Sequence, residues 1–483
     1  MGWIRRERAV AGSAVVAALL LLAVAPPVGA QTVRVRRSVA SLTSAQLDAL
    51  RTGIAAMKAR PASDPTSWAY QANIHGTVDA PARAAWSTCQ HGSFFFLSWH
   101  RMYLFYFERI LRAASGSADL TLPYWDYSRP DQRALPEPFR VPAEASNALF
   151  VRQRAAAANA GGELPESAVD AQESLQAIAF STSSAAGTSF GGRRLAQPNH
   201  FSSFPGRLEQ QPHNVIHVLL GGTDGWMSDP DFAAQDPIFW LHHANIDRLW
   251  SRWLALGGGR ANPTDGVWLD TRFAFFDERG TRVEMTGRQV VDTAAQLEYR
   301  YDDQPEAPPS PETAPRPQPP PGPLESVGVS TNAMELTGRP ARTAIRLGPT
   351  ERRDLTEAAP VPRGYVLTFE RIRYDRNPGV YYEVYLGLRE GETPDPRGPH
   401  YAGNLAVFAL KPHGRQGAEA GEQSALSLDV TRAIERLRAA GRLGSGDLSV
   451  SFVPRGITPP GGAEAAPTAA PPLSFERVRL STY

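Results

Sequence analysis

One cysteine, Cys89, stands in a chain of 483 residues, so no internal disulfide framework can staple this protein. An excess of charge of either sign is also missing. The 50 Lys and Arg against 49 Asp and Glu leave a net +1, which offers no bulk attraction to nucleic acid or to an acidic membrane surface. Internal repeats are absent, and long apolar runs are absent except at the N-terminus. There Arg5, Arg6 and Arg8 precede an apolar stretch from Ala9 to Ala25, followed by Pro26-Pro27 and the small residues Val28-Gly29-Ala30. This is the layout of a secretory signal, with cleavage expected after Ala30, and the run is short for a membrane span. Arg5-Arg6 leaves the twin-arginine route open beside the general one. The mature protein is therefore expected to be soluble, and secreted or periplasmic.

Histidine is concentrated. Of the ten, eight lie between residues 75 and 243. The densest context is Gln235-Asp236-Pro237-Ile238-Phe239-Trp240-Leu241-His242-His243-Ala244-Asn245-Ile246-Asp247-Arg248-Leu249-Trp250. Asp236 suits a helix N-cap and Pro237 the first helical position, where no N–H is needed. Ile238, Leu241, Ile246, Leu249 and Trp250 then recur at helical spacing, and Asp247 falls one turn beyond His243 on the same face. Upstream, His213 and His217 form His-x-x-x-His, which a helix places one turn apart on one side. His91 and His100 flank eight residues, with His75 before them. Two sets of three neutral imidazoles, with no carboxylate at ligand spacing, point to copper or zinc rather than to a carboxylate-bridged di-iron site. His200, His400 and His413 have no such spacing and read as ordinary buried histidines.

The chain divides by composition. Helical patterns are predicted over residues 38–59 and 98–114, with loop and turn between 60 and 96. An apolar connection spans 119–127. Residues 143–195, rich in Ala, Gly and Ser, read as a variable excursion carrying little chemistry. Residues 304–325 are dominated by proline and predict an extended, protease-accessible linker. Beyond it, Tyr365–Glu370, Tyr381–Leu386, Leu405–Leu410 and Leu448–Phe452 read as strands, with a short helix around 429–440 and a Pro/Ala/Gly-rich tail over 454–472. The predicted architecture is multidomain α+β. It has a mainly helical core with a four-helix bundle around the metals, followed by a C-terminal β-sandwich. The expected divisions are a signal at 1–30, a core at 31–303, the linker at 304–325 and the β-rich domain at 326–483.

These motifs resemble those of the type-3 copper proteins: tyrosinases, catechol oxidases (polyphenol oxidases) and molluscan haemocyanins. One half of the resemblance is Cys89-Gln90-His91-Gly92-Ser93-Phe94-Phe95-Phe96-Leu97-Ser98-Trp99-His100-Arg101, running on to Phe107-Glu108-Arg109. The other is Leu208-Glu209, Pro212-His213-Asn214 and His217, with the stretch from Asp236 to Arg248. Tyr299-Arg300-Tyr301 resembles the Tyr-x-Tyr motif that closes the core domain in plant and fungal members, and the likeness spans roughly residues 40–303. Tyr382-Glu383-Val384-Tyr385 and Gly403-Asn404-Leu405 are similar, more weakly, to the lid domain of plant polyphenol oxidases.

The resemblance implies two copper ions, one held by His75, His91 and His100 and the other by His213, His217 and His243, with His243 rather than His242 as ligand. It implies a thioether from Cys89 to His91 and a water-holding carboxylate at Glu209 helped by the Asn214 amide. Asp247 and Arg248 read as structural, with Asp247 bracing a histidine or an arginine near the site. Pro230 stands where plant enzymes gate the site with an aromatic. The implied partners are phenols and O₂, with an activating protease and a copper-delivery protein as further expectations. The implied activity is oxidation of o-diphenols to o-quinones, with ortho-hydroxylation of monophenols, latent until the C-terminal domain is removed. A diphenol-only or o-aminophenol oxidase is the alternative within the enzymes. An oxygen carrier is the alternative outside them, though carriers repeat such units and this chain has one.

Overall fold

The computed structural model describes residues 1–2, 33–80, 82–183, 189–304, 324–357, 364–408, 410, 425–444, 446–462 and 469–483. The expected signal with its cleavage point, nearly all of the proline-rich linker, His413 and the middle of the tail lie outside the described residues. Among the described residues no helix is long and apolar enough to cross a membrane.

Strand β1 (Arg34–Arg36) opens the core and leads to α1 (Ser44–Lys58). Thr43 and Gln46 close a reciprocal capping box at the start of α1, which satisfies two otherwise orphaned N–H groups. The region predicted as loop contains a helix instead, α2 (Trp68–His75). Its signal is the Ser67 cap, whose hydroxyl accepts from the Tyr70 N–H; all but one of its residues are buried, so no polar stripe marked it. Helix α3 (Phe96–Ser115) ends at Gly116 in the left-handed conformation.

Three short helices, α4 (Ala156–Asn159), α5 (Glu166–Val169) and α6 (Gln172–Gln176), occupy the stretch read as a bare excursion. That reading is corrected by Arg154. Its fully buried guanidinium grips both carboxylate oxygens of Asp236, at 2.6 and 2.7 Å, and so anchors the segment to the start of a central helix.

Helix α7 (Val215–Gly221) follows an irregular turn, Glu209–Asn214, in which Gln211 has extended backbone. Helix α8 (Pro237–Ala255) begins as expected, with Asp236 accepting from the Ile238 N–H and Pro237 first in the helix. The core closes with α9 (Gly266–Asp270), the hairpin β2 (Arg272–Phe276) and β3 (Arg282–Thr286), α10 (Thr293–Leu297) and β4 (Tyr299–Tyr301). Strand β4 pairs in parallel with β1, joining the two ends of the core.

The C-terminal part is β-rich as expected, with β5 (Glu325–Ser330), β6 (Met334–Leu336), β7 (Ala341–Leu347), α11 (Pro349–Thr356), β8 (Tyr365–Glu370), β9 (Tyr381–Leu386), β10 (Tyr401–Leu405), β11 (Leu426–Asp429), α12 (Thr431–Ala439), β12 (Leu448–Arg455), β13 (Leu473–Phe475) and β14 (Arg477–Thr482). Eight of these strands form one continuous sheet in the order β10-β9-β12-β7-β5-β14-β8-β11, with β6 and β13 as a separate pair. The two edge strands, β10 and β11, approach each other, so the sheet curls round its own apolar core instead of splitting into two facing sheets. The apolar run 405–410 is not a strand throughout. Strand β10 stops at Leu405, and Ala406 and Phe408 pack into the helical core.

Candidate metal centre

Four helices converge on one buried point, and each brings histidine: α2 ends in His75, α3 carries His100, α7 carries His217 and α8 carries His242 and His243. His91 and His213 arrive from outside regular helix. His91 is fixed by a parallel bridge to Phe201, with its N–H on the His200 carbonyl (3.1 Å) and its carbonyl accepting from Ser202 (3.0 Å). The chain must then turn sharply, and Gly92 does so at φ +69°. An added Cβ there would sit 1.8 Å from the Ser202 carbonyl oxygen, so glycine is required for both conformation and space.

All six predicted ligands belong to this one cluster. Ring centroids of His75, His91 and His100 lie 5.2, 5.3 and 5.6 Å apart, and those of His213, His217 and His243 lie 4.6, 4.9 and 5.6 Å apart. His100 and His243 stack between them at 4.3 Å. His242 also belongs to the cluster, 5.3 Å from His213 and 4.9 Å from His217, and its Nδ1 faces the Tyr127 hydroxyl (3.2 Å).

Most of the rings are held from behind. His75 Nδ1 donates to the Pro230 carbonyl (2.9 Å), His100 Nδ1 to the Phe96 carbonyl (2.8 Å) and His217 Nδ1 to the Met227 carbonyl (2.7 Å). His213 Nδ1 faces the Asn214 amide oxygen (2.9 Å) and His91 Nδ1 lies 3.2 Å from Cys89 Sγ. The opposite nitrogens, Nε2 of His75, His91, His100, His213 and His242, are buried with no hydrogen-bond partner, as is Nδ1 of His243. His217 Nε2 meets only His243 Nε2, at 3.4 Å. Buried polar atoms left unpaired cost free energy unless something else fills them. Orphaned imidazole nitrogens converging on one buried point are the donor set that copper or zinc takes, so the residues fit a pair of such ions. Burial drives every one of these rings below its ordinary pKa, His75 and His213 to about 3, which keeps them neutral with lone pairs free to bind metal.

Glu209 is fully buried. Its Oε1 accepts from the Gly92 N–H at 2.8 Å while Oε2 has no partner, and burial raises its carboxyl well above the ordinary range. Asp247 reaches arginines and not a histidine: Arg101 at 2.5 Å and Arg36 at 3.4 Å, with the Tyr299 and Tyr301 hydroxyls each at 2.6 Å. Arg248 joins Asp126 at 2.9 Å and Asp303 at 2.8 Å. Pro230, placed at the entrance by the sequence, is buried, and its carbonyl is what engages His75. His200 is nearer than expected, its Nδ1 donating to the Cys89 carbonyl at 2.8 Å; His400, deep in the β-rich part, donates to the Leu386 carbonyl.

One aromatic escaped the sequence reading altogether. Phe408 enters from the β-rich part and stacks on His217 at 3.7 Å, with His213 at 5.6 Å and His91 at 5.8 Å. Inside an apolar run it carried no local signal that could separate it from a strand residue.

The common central domain of tyrosinase matches residues 65–256, the polyphenol oxidase middle domain matches 262–309, and a domain of unknown function matches 323–462. The chain is 31% identical to a tyrosinase of Hahella sp. (strain CCB-MM4), over 87% of this chain and 95% of that one. It is 27% identical to the latent form of a chloroplastic polyphenol oxidase of Prunus armeniaca, over 83% and 69% of the two chains. Its fold resembles that of a recombinant latent aurone synthase (TM-score 0.62, 23% identity, 94% and 90% covered) and of latent apple tyrosinase (TM-score 0.61, 21% identity, 93% and 97% covered).

Proposed function

Because this chain belongs to the tyrosinase family, copper oxidoreductases that act on phenols through a dicopper centre, we propose that it oxidises o-diphenols to o-quinones with O₂ and hydroxylates monophenols ortho to their oxygen. The observation that carries this reading is the buried cluster of seven histidines, most of them with an unpartnered ring nitrogen. We assign His75, His91 and His100 to one copper and His213, His217 and His243 to the other, with α2, α3, α7 and α8 acting as a four-helix bundle. When bound, the copper pair supplies O₂ binding and two-electron transfer.

The chain's own residues do the rest. The carbonyls of Pro230, Phe96 and Met227 fix the ring orientation of three ligands. Glu209, with Oε2 free, takes the phenol proton, and the Asn214 amide holds His213 beside it. Phe239, 4.2 Å from His243, and Phe96, 4.7 Å from His213, wall the centre and exclude water. Cys89, with Sγ against the His91 ring, forms a thioether to a ring carbon that locks that imidazole, the thiol and ring C–H hydrogens being lost as two protons and two electrons to O₂; intact mass two hydrogens below the sequence value is its signature.

The polypeptide is divided as the composition suggests: signal 1–30, dicopper domain 31–303, linker 304–325 and cover 326–483. The protein is exported, and latent while Phe408 occupies the space above His217. A protease acting in the linker releases it.

Oxygen uptake by the copper-loaded protein, with catechol and then with tyrosine, tests the reading. Both substrates should drive uptake, and Glu209→Gln should lower the tyrosine rate by about 10²–10⁴ while sparing catechol. Reversible O₂ binding without consumption would replace the enzyme by a carrier.

A further inference from the structure

Two of the six histidines owe their orientation to one loop. His217 donates to the Met227 carbonyl and His75 to the Pro230 carbonyl, so residues 222–230 hold one ring in each triad. His100 and His213 make no such demand, since their Nδ1 partners lie on their own segments, Phe96 and Asn214. The loop has one short turn, Trp226–Ser228, and the core grips it through the Trp226 N–H on the Gln153 carbonyl at 2.9 Å. Gly76, just after His75, packs so tightly on it that an added Cβ would lie 2.5 Å from the Pro230 oxygen.

The loop's other side is gripped by the β-rich part. Asn377 Nδ2 donates to the Ser228 carbonyl at 3.3 Å, between the two carbonyls that hold histidines. Arg376 pairs with Asp224 through two contacts, at 2.5 and 3.1 Å. Asn377 Oδ1 accepts from the Gly379 N–H at 3.0 Å, closing a turn in which Gly379 sits at φ +68°. That turn rests on the loop so closely that a Cβ on Gly379 would meet the Thr223 nitrogen at 2.9 Å.

We propose that residues 374–379 act as a brace for the copper ligands, positioning His75 and His217 through the 222–230 loop, a role separate from the Phe408 cover. The inference rests on the assignment of the six histidines to copper. A carbonyl that orients a metal-bound histidine affects metal affinity by about 10- to 100-fold, and it does so only while the carbonyl itself is held. Release of the β-rich part therefore opens the site and loosens a ligand of each copper at once.

The test is made on the full chain. Copper affinity is measured at equilibrium against a graded series of EDTA concentrations, a readout independent of access to the site. Arg376→Ala/Asn377→Ala should bind copper about tenfold more weakly than the native chain, whereas Arg376→Lys should not. The control is Arg397→Ala, which removes another exposed ion pair of the same interface, with Glu166, away from the loop. It should leave affinity unchanged; equal weakening there means general undocking and overturns the brace. As a second readout in metal-free protein, the Nδ1–H protons of His75 and His217 should exchange faster with water in the double variant, those of His100 and His213 at the native rate. Unaltered affinity and exchange overturn the proposal. A native chain that never takes up two copper ions overturns the dicopper assignment beneath it.

Discussion

The adjacent pair His242-His243 is where residue-level geometry adds most to the sequence. Spacing alone could not choose between them, and both are buried in the cluster. The resemblance to the copper proteins names His243, and the two rings differ in what they face. His243 stacks on His100 and points Nε2 at His217, while His242 turns Nδ1 to the Tyr127 hydroxyl and keeps Nε2 buried and unpartnered; we propose His243 as the ligand. His243→Ala should lower bound copper from two ions to one per chain, and His242→Ala should retain two, as read by atomic absorption. The reverse pattern would exchange their roles. The histidines were legible because imidazole is rare in cores and its spacing was regular. The carbonyls of Met227 and Pro230 were not, because every residue has a carbonyl and only the fold selects which ones face a ring.

At the scale of elements, α3 and α8 are locked together beside the stacked His100 and His243 by one buried carboxylate. Asp247 binds Arg101 and Arg36 and accepts from Tyr299 and Tyr301, so α3, α8, β1 and β4 meet at a single charge. Burial, the largest influence on this carboxyl, pushes its pKa up; Arg101, Arg36 and the two tyrosines together outweigh it and leave the pKa below the ordinary value. A carboxyl depressed in the folded state stabilises the protein above its unfolded pKa, about 4, and loses that contribution as pH falls further. Asp247→Asn should cost about 3–5 kcal/mol near pH 7, because the arginines are left buried and uncompensated. Thermal unfolding should show this gap narrowing below about pH 4. Equal melting temperatures at neutral pH would sink the idea. Strands β8 and β9 were legible from their apolar, aromatic-rich runs and their bounds match, as does the start of α8, set by its cap. Helix α2 and the Arg154 segment were not: one is buried nearly all round, and the other is held by a charge pair joining residues 82 positions apart.

For the whole molecule, the β-rich part lies on the helical core through pairs that straddle the boundary: Arg207 with Asp429, Arg397 with Glu166, and the Ser167 hydroxyl with Glu383 at 2.6 Å. Among the described residues, Phe408 is the one aromatic that this surface places on the histidines. Phe408→Ala should therefore raise catechol oxidation by the uncleaved chain toward that of the cleaved one, mainly through a lower KM. No change would assign latency to the bulk of the cover instead. The pairing of β1 with β4 carries a different consequence, one of timing. Arg36 must wait for Tyr301 to be synthesised before its strand has a partner. At about 5–20 residues per second that interval is roughly 13 to 53 s. The clasp that joins the two ends of the core can close only as the ribosome is about to deliver the cover, so a nascent chain holds its histidines unclasped until just before they are hidden.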